Sequence, residues 1–180
     1  ALIFASPYLP SRQLPYIIAS FAGAFALSII LIQPLLAGGY LPGVSLAKAR
    51  KWHRWIGAFL IIAVTLHIGG LYLTSPMDVM DALLLVSPTP FSLYGVAAMW
   101  AVFVAAFLVA LRRILRIRPR TWNVIHNALA VVIVVGTVVH AVLIEGAMEE
   151  WSKWAVSIAA LLVTLFVTVQ LRILKRRLHP

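Results

Sequence analysis

The sequence predicts an all-α, polytopic transmembrane helical bundle, and three observations carry that prediction. Hydrophobic residues make up 63% of the chain and charged residues 11%, with a mean hydropathy of +1.01, whereas soluble domains carry about 25% charged residues. The apolar residues gather into five runs of roughly 20 residues, the length a helix needs to cross the hydrocarbon core. The segments between the runs alternate between basic and acidic, as expected when successive loops lie on opposite sides of a membrane. At 180 residues the chain reads as a single membrane domain.

Two function classes are excluded early. The sequence contains no cysteine, so disulfides, thiolate-held iron–sulfur clusters and covalent c-type haem through C-x-x-C-H have no ligands within it. The net charge of +10 would suggest nucleic acid in a soluble protein. Here the basic residues flank apolar runs, so they report orientation and contact with anionic membrane lipid, and no nucleic-acid partner is expected.

Taken in order, the opening ALIFASPYLP reads as the exit of an apolar segment followed by a proline-broken loop, the remnant of a cleaved signal or first helix on one reading and an ordinary apolar tail on the other. The first span, Tyr16 to Leu36, is uncharged and ends in the breaker string QPLLAGGYLPG. Residues 41–54 carry Lys48, Arg50, Lys51 and Arg54 and are expected as a cytoplasmic loop. The second span, His53 to Leu73, opens beside Trp52 and Trp55, which are interface anchors or cofactor neighbours. Residues 74–92 hold Asp78 and Asp81 and no basic residue, which places them on the outer, periplasmic face. Within them SPMDVMDALLLVSPTP has a serine–proline start, acids in its first turn and a closing proline, predicting a short surface helix that could cover the outer site. Its aspartates either stabilise that helix start or attract cations.

The third span, Leu93 to Leu111, is alanine-rich and suits a packing spacer. It opens into RRILRIRPR at residues 112–120, the strongest inside signal in the chain, which also suits anionic lipid or an acidic electron donor. The fourth span runs from Thr121 to Leu143, and the acidic, tryptophan-bearing residues 144–153 return the chain to the periplasmic face. A fifth span, Trp154 to Leu174, ends in the basic, cytoplasmic LRILKRRLHP. Its His179 reads as a solvated tail residue.

Chemistry enters through the other four histidines. His53 and His67 in the second span, and His126 and His140 in the fourth, are pairs with thirteen residues between them. At about 100° per residue each pair falls within roughly 40° of one helix face, about 21 Å apart along the axis. One intervening span makes the two helices parallel, so His53 can face His126 while His67 faces His140. Neutral imidazoles without partners are costly in hydrocarbon, and two facing imidazoles are the axial ligand set of a haem. Two non-covalent haems b are therefore expected, with all four histidines as iron ligands. Zinc fits less well, because helical zinc sites prefer ligands one turn apart and no cysteine or carboxylate stands near. Gly57, Gly70 and Gly136 lie one turn from a histidine and either let a macrocycle approach the backbone or pack helices. Arg54 is a candidate partner for a haem propionate or a solvated arginine, Trp122 is a second edge candidate, and no role is readable for Asn127.

The segments HRWIGAFLIIAVTLHIGGLYL and TWNVIHNALAVVIVVGTVVHAVL resemble the third and fifth helices of the ferric reductase-like transmembrane domain, shared by ferric reductases and NADPH oxidases. The resemblance implies a six-helix bundle with two haems b that moves single electrons across the membrane, with His53 and His126 as inner ligands and His67 and His140 as outer ones. Only five full spans are visible here, and the flavin and nicotinamide domains of the larger relatives have no counterpart within these residues. There is likewise no dinucleotide fingerprint, P-loop or catalytic triad. A bacterial stand-alone version in the plasma membrane is implied, a haem-bearing subunit fed at its inner face by a separate flavoprotein, free flavin or quinol and discharging to an outer-face acceptor or partner protein. Two rivals stay open: a quinol-oxidising cytochrome b, and a structural or accessory subunit of a larger membrane complex.

Overall fold

The computed structural model describes residues 12–145 and 148–177, with side chains up to residue 170. All regular structure among them is helical: α1 (Leu14–Gly38), α2 (Leu46–Thr74), α3 (Pro76–Leu83), α4 (Pro90–Leu111), α5 (Pro119–Leu143) and α6 (Glu150–Arg177). Five of these are long and apolar enough to cross a membrane. The opening decapeptide and His179, read from sequence above, lie outside the described residues.

Local chemistry sets the helix ends. Proline stands in the first turn of α1, α3, α4 and α5, where its missing N–H is an orphan in any case and its fixed φ suits the helix. α1 closes on Gly39 at φ 75°, with N–H groups of Gly39 and Tyr40 returning to Leu36 and Leu35 carbonyls, the left-handed cap that glycine adopts without penalty.

The largest correction to the sequence reading lies at the start of α2. Ser45 accepts from the Lys48 N–H and starts the helix at Leu46, so Lys48, Arg50, Lys51 and Arg54 are helical and not in a loop. The reason is the stretch LAKARKW, made almost wholly of strong helix formers behind a serine cap. Hydropathy sees only the apolar part of such a helix. α6 likewise begins at Glu150, one turn before the apolar run. The short helix α3 forms where the serine–proline start predicted it, with Asp78 in its first turn.

The five long helices form a ring. α1 packs against α2 and α6, α5 against α4 and α6, and α4 touches α2 lightly, while α2 and α5 do not pack directly on one another. The core is a layer at mid-height made of Ala26, Ile29 and Ile30, Leu60 and Ala63, Val102, Val134 and Val138, and Ala160. Large apolar side chains such as Phe25, Phe59, Trp100, Phe107 and Leu165 point outward, which is the expected surface of a bundle solvated by lipid tails. Buried Lys153 of α6 donates to the carbonyls of Val142 and Ile144 at 3.4 and 2.9 Å. It satisfies carbonyls that the end of α5 leaves without intrahelical partners.

Candidate functional site

The four histidines of α2 and α5 meet across the space between those helices. His53 faces His126 with ring centroids 6.1 Å apart and planes at 83°, and His67 faces His140 at 6.3 Å and 82°. The two pairs stand near opposite ends of the spans, with Leu60, Ala63, Val134 and Val138 of the apolar core between them. Among the described residues no group of three or more His, Asp or Glu side chains forms a metal cage, so the histidines are arranged as pairs.

Each pair has the spacing of two ligands to one ion. An imidazole nitrogen lies about 2 Å from a metal that it binds and its ring centroid roughly 1 Å beyond, so two rings on opposite sides of one ion sit about 6 Å apart. The other ring nitrogen is already engaged in three of the four. His67 Nδ1 donates to the Ala19 carbonyl at 2.8 Å, His140 Nδ1 to that of Phe91 at 2.9 Å, and His53 Nδ1 to that of Gln33 at 3.2 Å. A carbonyl only accepts, so Nδ1 carries the proton, and the lone pair of the neutral ring is left on Nε2. That outer hydrogen bond is the usual way a ligating histidine is oriented. These donors and their spacing fit a metal held axially by two imidazoles, as in a b-type haem.

Two glycines that the sequence reading did not single out make room for the outer rings. A Cβ at Gly23 would stand 2.8 Å from His67 Nδ1, and one at Gly95 would stand 2.6 Å from His140 Nδ1. Each glycine is one turn after the residue whose carbonyl takes the histidine N–H: Ala19 and Gly23 on α1, Phe91 and Gly95 on α4. No shared helix position marks them in the sequence, since Gly23 is the tenth residue of α1 and Gly95 the sixth of α4.

The glycines chosen from sequence sit elsewhere. A Cβ at Gly70 would meet the Pro15 carbonyl and Ala19, one at Gly136 would meet the Tyr94 carbonyl and Ala98, and one at Gly57 would lie 3.4 Å from the Gln33 side chain. All three face the preceding helix, and at Gly70 and Gly136 the approach is close enough that a Cβ would meet its backbone. Arg54 is exposed beside His53, and Trp55 is exposed. Trp52, also outward-facing, lies under the Lys48 ammonium at 5.0 Å. Trp122 stacks on His126, with centroids 5.0 Å apart and planes at 17°. Gln33 is a further addition, its side-chain amide donating to the His53 carbonyl at 3.3 Å.

No curated protein and no solved structure matches the chain. A family model described as ferric reductase like transmembrane component matches residues 14–137, a stretch that includes His53, His67 and His126 and stops just short of His140. The match covers more than half of the chain, and the helical, membrane-embedded structure agrees with it: the chain belongs to the ferric reductase-like transmembrane family, whose field is membrane electron transfer and whose members generally bind haem.

Proposed function

We propose that this chain is a transmembrane electron-transfer subunit with two bis-histidine sites for b-type haem, His53 with His126 at the inner level and His67 with His140 at the outer level. The observation that carries the reading is the pair of cross-helix distances, 6.1 and 6.3 Å between ring centroids, repeated at both ends of the same two helices. The haem would supply a one-electron Fe(II)/Fe(III) couple. The chain's own residues do the rest. The Gln33, Ala19 and Phe91 carbonyls hold three imidazoles with Nε2 toward the space between α2 and α5. The apolar layer of Leu60, Ala63, Val134 and Val138 keeps water and ions from the gap between the levels.

Orientation follows from charge. Lys48, Arg50, Lys51 and the arginines between α4 and α5 gather at one end of the bundle, while Asp78, Asp81, Glu145, Glu149 and Glu150 lie at the other. With the basic end cytoplasmic, a separate flavoprotein, flavin or quinol delivers electrons there, and an outer-face acceptor or partner protein receives them, in a plasma membrane of bacterial type. The test is a dithionite-reduced minus oxidised spectrum with haem counted per chain, for the wild type and for His67→Ala and His126→Ala. Two low-spin b haems per chain, falling to about one in each variant, are expected. Haem content indifferent to both substitutions would overturn the assignment.

A further inference from the structure

Three of the four histidines are held by a backbone carbonyl at Nδ1, and His126 is the exception. Its Nδ1 is buried and has no hydrogen-bond partner among the described residues. What holds the ring instead is Trp122, one turn earlier on α5, lying nearly parallel to it at 5.0 Å. The indole in turn lies under the Arg112 guanidinium, 5.1 Å from its centroid, at the end of α4. Arg112, Trp122 and His126 thus form a stack that crosses the turn between α4 and α5.

Stacking and a hydrogen bond constrain an imidazole differently. A carbonyl at Nδ1 fixes both the tautomer and the direction of Nε2, and it makes the ring a stronger donor to a metal. A flat aromatic neighbour fixes the ring plane alone and adds no basicity. The Arg112 contact orders the indole, since a cation over a ring is attracted to its face. His126 is consequently the least firmly tied of the four.

Resting on the two-haem reading above, we propose that Trp122 is a positioning residue for His126, taking the place of the backbone bond that orients each of the other three ligands, with Arg112 as its clamp. His126 is then the ligand that yields first, and the inner level is the one whose coordination responds when the stack is disturbed.

The experiment compares wild type, Trp122→Leu, Trp122→Phe, Arg112→Gln and, as an outward-facing control on α4, Trp100→Leu. Each is purified with its haem and read by low-temperature EPR of the oxidised form and by carbon monoxide binding to the reduced form. Two bis-histidine haems are closed to carbon monoxide. In Trp122→Leu the reactive share should rise to about half of the total haem, with one low-spin EPR signal altered and the other unchanged. Trp122→Phe should restore most of the closed state, Arg112→Gln should alter the same signal to a smaller extent, and Trp100→Leu should match wild type. A Trp122→Leu protein that stays closed with a wild-type EPR spectrum overturns the proposal, as does one in which both haems open together. If that variant loses all haem, Arg112→Gln decides: it frees the indole without leaving a gap, and an unaltered spectrum overturns the proposal. Wild type purified without haem would instead remove the two-haem reading, and this proposal with it.

Discussion

Replacing Gly95 by alanine tests the outer histidine pair more sharply than removing a histidine does, because it puts a methyl group in place of one hydrogen and adds no new chemistry. The new Cβ would stand 2.6 Å from His140 Nδ1, 2.7 Å from Cε1 and 3.1 Å from Cγ. Such atoms rest about 3.5 Å apart, so the ring has to give by roughly 1 Å. It has little room to do so. Its Nδ1 is bonded to the Phe91 carbonyl at 2.9 Å, and its centroid is 6.3 Å from that of His67, already close to the separation of about 6 Å that a shared ion allows. Overpacking of this kind costs about 1–3 kcal/mol, and a lost hydrogen bond about 1 kcal/mol more. The better helix propensity of alanine returns about 1 kcal/mol, leaving a net destabilisation of roughly 1–3 kcal/mol, concentrated on one histidine. Gly69→Ala is the matched control, since a Cβ there meets nothing within 4 Å. Haem per chain and its thermal release should be measured in both. Gly95→Ala is expected to lose, or render high-spin, one haem of two, while Gly69→Ala keeps both and is slightly more heat-stable. Equal haem content and equal release temperatures would refute the argument that Gly95 seats His140.

Three further outcomes follow from the same contacts. Gln33→Leu removes the side-chain bond to the His53 carbonyl but leaves the backbone carbonyl that His53 Nδ1 uses, so haem content should be unchanged and thermal stability should fall by about 1 kcal/mol or less; loss of the inner haem would place the side chain in the site. Lys153→Met deletes two charge-assisted bonds to the end of α5 and should cost about 1.5–3 kcal/mol, read as earlier thermal unfolding in detergent with the haem spectrum of the intact fraction unaltered. The chain has no cysteine, so Arg113→Cys and Glu149→Cys each provide a single thiol. In intact cells an impermeant maleimide should label Glu149→Cys and spare Arg113→Cys, and the reverse would invert the orientation.

The parts of this structure legible in sequence are those whose cause is local or periodic. Five spans follow from apolar length, α3 from its serine–proline start, and the facing histidines from a spacing close to four helical turns. The start of α2 is not legible in hydropathy because a lipid-crossing helix and its polar, well-capped extension obey different rules: hydropathy ends where charge begins, whereas Ser45 and the alanine- and lysine-rich turn after it continue the helix. Gly23 and Gly95 were missed for a different reason. A glycine in an apolar helix has no local signature, and its meaning arises only when the next helix lays a histidine ring against it. Gly70 and Gly136 drew attention by standing near histidines in sequence, yet a histidine that leans on the preceding helix brings its neighbours one turn away against that same helix.

The contacts around the histidines also suggest why the site is built from two hairpins. α1 with α2, and α4 with α5, are each joined by a short connection and pack closely. Within each hairpin the first helix supplies the carbonyl and the glycine that seat the outer histidine of the second. The orientation of the outer histidines is therefore fixed inside each hairpin, by contacts that need no cofactor, and between α2 and α5 the rings of each level face one another. A site oriented in this way loses little conformational freedom when it is filled, which is the general route by which preorganised sites gain affinity. The inner level keeps this scheme on the α2 side, through Gln33, and departs from it on the α5 side, where His126 rests on Trp122. That departure lies beside the arginine-rich turn, at the end where a donor would approach. On the proposed orientation, the least constrained histidine would stand nearest an inner-face donor, and the most constrained pair at the far face.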